Sequence, residues 1–351
     1  MRNQGIDPNQ YHSIVHLNKD PALNINRLPL ALAIALAVTF AVPMANAAQQ
    51  SANASIDKPA PVAAQTAALL PAPVKRPFLW KVSDADNSVY LLGSFHLLKP
   101  DDYPLPVEID RAFEDSESLL FEVDPREMTA PETGATAQKY MAYEPGKSLS
   151  TVLPKPTLEK LGKMMAAAGG SVQAMEQSEP WAVSLGLVMG MIQSLGFKPE
   201  LGLDSNLMAR AAKVGKPTSG LETVDDQFKA MDSIPYAEQA QGLDEFLDDP
   251  RKVAKELGEM HHAWRTGDVA KIDSGMRAEM ATKTPVSYKL MNVDRNNGWM
   301  PQVEKRLTGS TKDDTLVVVG SVHLLGQDGL VEKLRAKGYK VERICDTCEA
   351  E

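Results

Sequence analysis

Two hydrophobic periods alternate along this chain, and they divide it. Residues 77–83 and 87–93 are rich in branched and aromatic side chains, with Asp84-Ala85-Asp86-Asn87 as a turn between them, which predicts two strands. Residues 118–123 form a short apolar run ending in carboxylates, a third strand. Helical spacing appears at 107–116 and then dominates the middle. Leu158, Leu161 and Met165 share one face of a helix at 157–168, residues 181–195 are apolar almost throughout and predict a buried helix, and 204–214 closes on Gly215. Residues 216–222 resemble a short strand. Amphipathic helices follow from 224 to about 267 and around 286–307. The end returns to a buried strand at 315–319, a helix at 329–337 and a last strand at 339–344. Apolar strands at both ends of a helical middle predict an α/β (α+β) fold: a mixed central β-sheet built from both ends of the chain, with a helical subdomain inserted at about 145–310.

The first 76 residues read differently. Arg27 precedes an apolar run from Leu28 to Val42, and Ala45-Asn46-Ala47 places small residues where a signal peptidase reads them. Residues 1–47 are therefore expected to be a secretory signal, or an anchor if left uncleaved; the run is short for a membrane span. Residues 48–76, rich in Ala, Pro, Gln and Ser, read as a tether. The expected location is periplasmic or secreted, with inner-membrane anchoring through the N-terminal segment as the alternative.

Composition narrows the function. The chain of 351 residues is 43% hydrophobic, enough to bury a substantial core in residues 77–345. A net charge of -9 without a basic block argues against nucleic-acid partners. The abundant methionines read as plastic core filler. Both cysteines, Cys345 and Cys348, lie near the C-terminus, so the core has no disulfide framework; a close bridge between them would stabilise little. Residues 346–351 read as a tail.

The most informative pattern is internal. Gly93-Ser94-Phe95-His96-Leu97-Leu98 is echoed by Gly320-Ser321-Val322-His323-Leu324-Leu325, and each copy follows an apolar strand. Each strand would end at a glycine that permits a tight turn and present a histidine at the sheet edge, where α/β proteins place their chemistry. A single turn histidine more often satisfies local hydrogen bonds; two in one context point to a shared crevice. His261 and His262 adjoin on a predicted helix, diverge in direction, and read as surface residues.

With these paired Gly-x-x-His segments, and with Phe121-Glu122-Val123-Asp124, Gly202-Leu203-Asp204 leading to Lys216-Pro217 and Gly220-Leu221-Glu222, and Asn292-Val293-Asp294-Arg295-Asn296, the chain resembles the TraB/PrgY/GumN family over roughly residues 77–345. That group includes the TIKI-type metalloproteases. The resemblance implies a hydrolase-like fold with a mixed sheet, related to erythromycin-esterase-like and ChaN-like proteins, and implies little about substrate.

Two neutral imidazoles and a carboxylate make a three-ligand divalent site with an open position. The expected ligands are His96, His323 and Glu122, holding manganese, cobalt or zinc; bound water there would be acidified and would attack a carbonyl. Glu222 would be the general base or a further ligand, unless it merely opens a helix. Arg295 would hold a developing oxyanion or a substrate carboxylate, unless it forms a plain helix salt bridge. Asp124 would face the same side as Glu122 if its strand continued past Pro125. A metal-free variant uses one histidine as base or nucleophile, oriented by Glu122. H-E-x-x-H, Gly-x-Ser-x-Gly, phosphate-cradle and dinucleotide glycine patterns are absent. The expected activity is hydrolysis of a peptide or a small amide or ester. The competing reading is a non-catalytic envelope protein that sequesters a peptide signal or assists polysaccharide handling. Haem or iron handling follows only from the ChaN-like kinship, and 6% aromatic residues argue against a haem pocket.

Overall fold

The computed structural model describes residues 76–309 and 311–346. The expected signal, nearly all of the tether, and most of the C-terminal tail lie outside the described residues. Cys345 is disulfide-bonded; Cys348 lies outside the described residues.

Six strands form one mixed sheet: β1 (Leu79–Ser83), β2 (Ser88–Ser94), β3 (Ser118–Val123), β4 (Thr218–Glu222), β5 (Thr315–Gly320) and β6 (Lys340–Arg343), in the order β4-β3-β5-β2-β1-β6. Pairing is parallel from β4 through β3 and β5 to β2, and antiparallel where β1 meets β2 and β6. The central β2 and β5 are buried at every position, as parallel strands covered on both faces must be. The edge strands β4 and β6 are mostly half-exposed or exposed. The sheet thus draws β1, β2 and β3 from the beginning of the domain and β5 and β6 from its end.

The helical middle packs against the sheet. Its β4 completes one edge of the sheet, and Leu161, Val183, Leu207, Leu243 and Leu257 share a core with the strands. The long amphipathic stretch predicted from 224 is three helices, Val224–Asp232, Tyr236–Asp248 and Pro250–Thr266, divided at Pro235 and Pro250, where a missing N–H suits a helix start but not an interior. A second apolar cluster, containing Trp181, Leu185, Phe228, Met231, Met280 and Met291, gathers around Val123, the last residue of β3. Among the described residues no helix is long and apolar enough to cross a membrane.

The segment predicted as amphipathic helix around 286–307 contains an irregularity. Pro285–Tyr288 and Arg295–Thr308 are α-helical, and Lys289–Asp294 between them is a π-helical turn. Such turns re-aim the side chains that follow them and recur at functional sites. Arg295 is the first residue beyond it.

Candidate active site

Strands β4, β3, β5 and β2 run parallel and therefore end at one edge of the sheet, which is where parallel sheets bind ligands. Glu222 is the last residue of β4, Glu122 the last but one of β3, Gly320 the last of β5 and Ser94 the last of β2. All five sequence-predicted site residues come together there.

Glu122 is their hub. Its Oε1 lies 3.8 Å from His96 Nε2 and 3.9 Å from His323 Nε2, and accepts the Gly320 N–H at 2.7 Å. Its Oε2 accepts from Arg295 Nη2 at 2.6 Å. Burial would raise the carboxyl's pKa, but Arg295 and the two imidazoles outweigh it and bring the value down to about 2.

Arg295 is buried and uses every donor of its guanidinium. Nε and Nη2 donate to Glu222, Nη2 also to Glu122, and Nη1 to the Met291 carbonyl and to His323 Nε2 at 3.1 Å. Burial works against its charge, and Glu222 and Glu122 more than restore it. In this arrangement no donor remains for an oxyanion or a substrate carboxylate, so Arg295 holds two carboxylates apart and in place. Glu222 is bound in turn by Trp299 Nε1 at 3.0 Å. Burial pushes its carboxyl up, with Arg295 opposing. The helix after Glu222 is capped by Thr223, which leaves Glu222 to Arg295.

The two histidines are not equivalent. β2 and β5 pair with Ser94 opposite Gly320, so the Gly-Ser-x-His copies are staggered by one residue, and only the second continues as a 3-10 turn, Ser321–Leu324. His96 Nδ1 lies 2.5 Å from Asp204 Oδ2, and its buried Nε2 has no hydrogen-bond partner. His323 Nδ1 faces Asn296 Oδ1 at 2.8 Å. Asn296 Nδ2 is committed to the carbonyls of His323 and Asp328, so Oδ1 must accept and His323 must carry its proton on Nδ1. Burial pushes the His323 pKa down to about 3, which keeps it neutral, with Nε2 accepting from Arg295. Burial also lowers His96, but Asp204 reverses the sign and its pKa is raised.

Gly320 lies between the rings. A Cβ there would sit 3.2 Å from His96 Nε2 and 3.3 Å from Glu122 Oε1. The expected divalent ion meets this geometry only in part. His96 Nε2 and Glu122 Oε1 present donors, but His323 Nε2 is engaged by Arg295. Among the described residues no group of three or more His, Cys, Asp or Glu is set to hold a metal ion.

The family model matches residues 78–343. The chain belongs to the TraB/PrgY/gumN family. It is similar to the uncharacterized protein YbaP of Escherichia coli (strain K12), 23% identical over 262 residues, covering 74% of this chain and 93% of the relative. The uncharacterized protein YbaP of Shigella flexneri is 23% identical over 246 residues, covering 70% and 87%. No solved structure matched.

Within this TraB/PrgY/gumN member, the sequence blocks acquire physical reasons. Gly202 passes so close to the His96 carbonyl that a Cβ would stand 2.0 Å from its oxygen, and the next residue, Leu203, donates its N–H to the Phe95 carbonyl at 3.2 Å. That contact brings Asp204, in the first turn of helix Leu203–Val214, under the imidazole. Asp204 also accepts from Ser94 Oγ at 2.6 Å. Ser321 Oγ donates to the Ser94 carbonyl at 2.9 Å, so both motif serines are spent on shaping the turns. Asp204 and Asn296, the partners of the two imidazoles, stand in blocks that carry the family resemblance, yet neither was expected to have a role at the site.

Two expectations are corrected. β3 ends at Val123, and Asp124 caps the helix Pro125–Met128 and pairs with the Arg126 side chain rather than joining Glu122. His261 is buried, not on the surface; only His262 is exposed. His261 Nε2 lies 2.9 Å from Asp102 Oδ2, and its ring packs on Phe95 and Phe197. Trp264, one turn on, donates to the Gly93 carbonyl at 3.0 Å. The helix Pro250–Thr266 therefore supports the first Gly-Ser-x-His segment from below.

Proposed function

We propose that this chain hydrolyses an amide or ester bond in a peptide or small molecule, with His96 at the reacting centre. The observation that carries this reading is the Asp204–His96 pair: a carboxylate fixes Nδ1, and the opposite nitrogen, buried and without a partner, points toward Glu122 and the opening left by Gly320. A general base needs that tautomer and orientation. Asp204 would stabilise the imidazolium formed when Nε2 takes a proton from water. Glu122 would hold the same water through Oε1, and neutral His323 would bound its far side. Arg295 would keep Glu122 ionised throughout.

A second reading has one favouring observation. His96 Nε2 is a buried nitrogen with no partner beside a carboxylate oxygen, as an imidazole awaiting a cation would be. Manganese, cobalt or zinc would be held there if Arg295 released His323 Nε2, and would supply an acidified water. On the N-terminal pattern we place the activity in the cell envelope, on peptides or small amides and esters.

The test is hydrolysis of blocked peptides and simple esters by the purified chain, with metal analysis of the same preparation. Loss of turnover in His96→Ala and Asp204→Ala, with folding retained, supports the base. Stoichiometric metal lost in both His96→Ala and His323→Ala supports the second reading. Peptide binding without turnover or metal would return the chain to the class of non-catalytic binders.

A further inference from the structure

His323 owes the position of its proton to Asn296, and Asn296 owes its own orientation to a turn beyond it. Asn296 Nδ2 donates to the His323 carbonyl at 3.1 Å and to the Asp328 carbonyl at 2.8 Å. The second acceptor belongs to the short turn after β5, where the Gly329 N–H donates to the Gly326 carbonyl at 3.0 Å. Gly326 and Asp328 are half-buried and Gln327 between them is exposed, so this turn reaches solvent. Among the described residues no backbone hydrogen bond ties residues 326–328 to another element. Side chains hold the turn instead. Tyr288 Oη donates to Asp328 Oδ2 at 3.2 Å, and Arg277 Nη1 donates to the Tyr288 oxygen at 3.5 Å. Arg277 is itself fixed, with Nε and Nη2 both donating to the Asp273 carboxylate. Its guanidinium lies against Gly326, which has a φ of +70° and where a Cβ would stand 2.3 Å from Arg277 Nε. Arg277 ends a second π-helical turn, Asp273–Arg277, and Tyr288 immediately precedes the first, Lys289–Asp294. Both irregular turns thus aim a side chain at the same four residues.

We infer that Tyr288 is a positioning residue: with Arg277 it pins the turn 326–329, and through the Asp328 carbonyl it fixes the Asn296 amide and hence which His323 nitrogen carries the proton. The argument is one of donors and acceptors. If the Asp328 carbonyl moves away, Nδ2 of Asn296 loses an acceptor, and the amide can turn over and offer that nitrogen to His323 Nδ1. The ring then gives up the proton on Nδ1 and takes one on Nε2, remaining neutral. That new N–H faces Arg295 Nη1, also a donor, so the contact between His323 and the guanidinium is lost. The part this plays in turnover rests on the hydrolase reading; the proton position does not.

The test uses the full chain with 15N-labelled histidine, reading the ring nitrogens by long-range proton–nitrogen NMR at neutral pH, with the His323 signals identified by their absence from His323→Gln. The wild type is expected to show Nδ1 protonated and Nε2 bare. Tyr288→Phe, which removes only the hydroxyl, is expected to draw the two nitrogen shifts toward each other. Asp328→Asn, whose side-chain oxygen still accepts the Tyr288 hydroxyl, is expected to keep the wild-type pattern. Unchanged shifts in a folded Tyr288→Phe chain would overturn the inference. Should that variant not fold, Arg277→Met decides in the same way. On any substrate that the wild type turns over, Tyr288→Phe is expected to lower kcat about tenfold with KM little changed. A fall in kcat with the ring shifts unmoved would also overturn the inference, since Tyr288 would then act by another route. If the wild type turns over nothing, the hydrolase reading fails by itself and the ring shifts alone decide.

Discussion

Asp204 Oδ2 and His96 Nδ1 stand 2.5 Å apart, although 108 residues separate them in sequence. The contact exists because Gly202 lets its helix approach the His96 backbone, and it decides which imidazole nitrogen is exposed to chemistry. Asp204→Asn keeps the shape but no longer demands a proton on Nδ1. Turnover is expected to fall about a hundredfold or more with the fold intact. The pH profile gives the sign. His96 accepts a proton only when neutral, and Asp204 raises its pKa, so activity climbs as pH rises through that raised value. In Asp204→Asn the climb moves to lower pH. A climb that stays in place would show that another group is titrating.

Gly320→Ala tests the space between the rings. The backbone there has φ -53°, which alanine tolerates, so strain in the chain is not the obstacle. The added methyl would stand 3.2 Å from His96 Nε2 and 3.3 Å from Glu122 Oε1, tighter than ordinary contact. Loss of most turnover with a melting temperature within a few degrees of wild type is expected. Retained turnover would mean that the reacting atoms lie elsewhere.

Arg295→Met should cost stability more than its size suggests. It leaves Glu122 and Glu222 buried and facing each other without the cation that both hold. Breaking a buried pair in this way costs about 3–5 kcal/mol, measurable by urea unfolding at neutral pH. Arg295→Lys should fare little better, because an ammonium cannot span both carboxylates, His323 and the Met291 carbonyl.

Glu122 links the site to acid stability. Its folded pKa of about 2 lies below the ordinary value of 4.5, so its ionised form stabilises the fold above about pH 4.5. That contribution, on the order of 3 kcal/mol, is lost as pH falls from there toward 2. Glu122→Gln should flatten this part of the acid unfolding curve. An unaltered slope between pH 4.5 and 2 would show that Glu122 is not held by Arg295 as described.

Glu245 has the opposite sign. Burial pushes its carboxyl up to about 8, with Lys283 and Lys252 opposing, and both its oxygens lack partners. Its ionisation therefore weighs against the fold increasingly as pH rises from about 4.5 to 8. Glu245→Gln is expected to raise the melting temperature by a few degrees at pH 8 and by little at pH 5. Equal gains at both values would point to packing instead.

The strands were legible because each is short, apolar and closed by turn residues, and the predicted limits of β3 and β5 fall within a residue of those observed. The duplicated Gly-Ser-x-His pattern carried His96 and His323, and strand-end position carried Glu122 and Glu222. Asp204 was hidden because an acid in the first turn of a helix already has a local purpose as a dipole partner. Asn296 was hidden because an asparagine within a helix gives no sign of what it faces. His261 was misread because adjacency on a helix says that two side chains diverge, not which of them points inward; Asp102, 159 residues away, settles that. The π-helical turn has no signature in hydrophobic spacing, so the aim of Arg295 could not be read from the period around it.

The one-residue slip between β2 and β5 has a chemical outcome. Matching copies laid side by side would have given two interchangeable rings, competing for the same proton. Shifted past each other, they meet different neighbours: an acid that favours a charge on His96, and burial beside the Arg295 guanidinium that keeps His323 neutral. A duplicated sequence thus yields a polarised pair, one ring poised to take a proton and the other held without one.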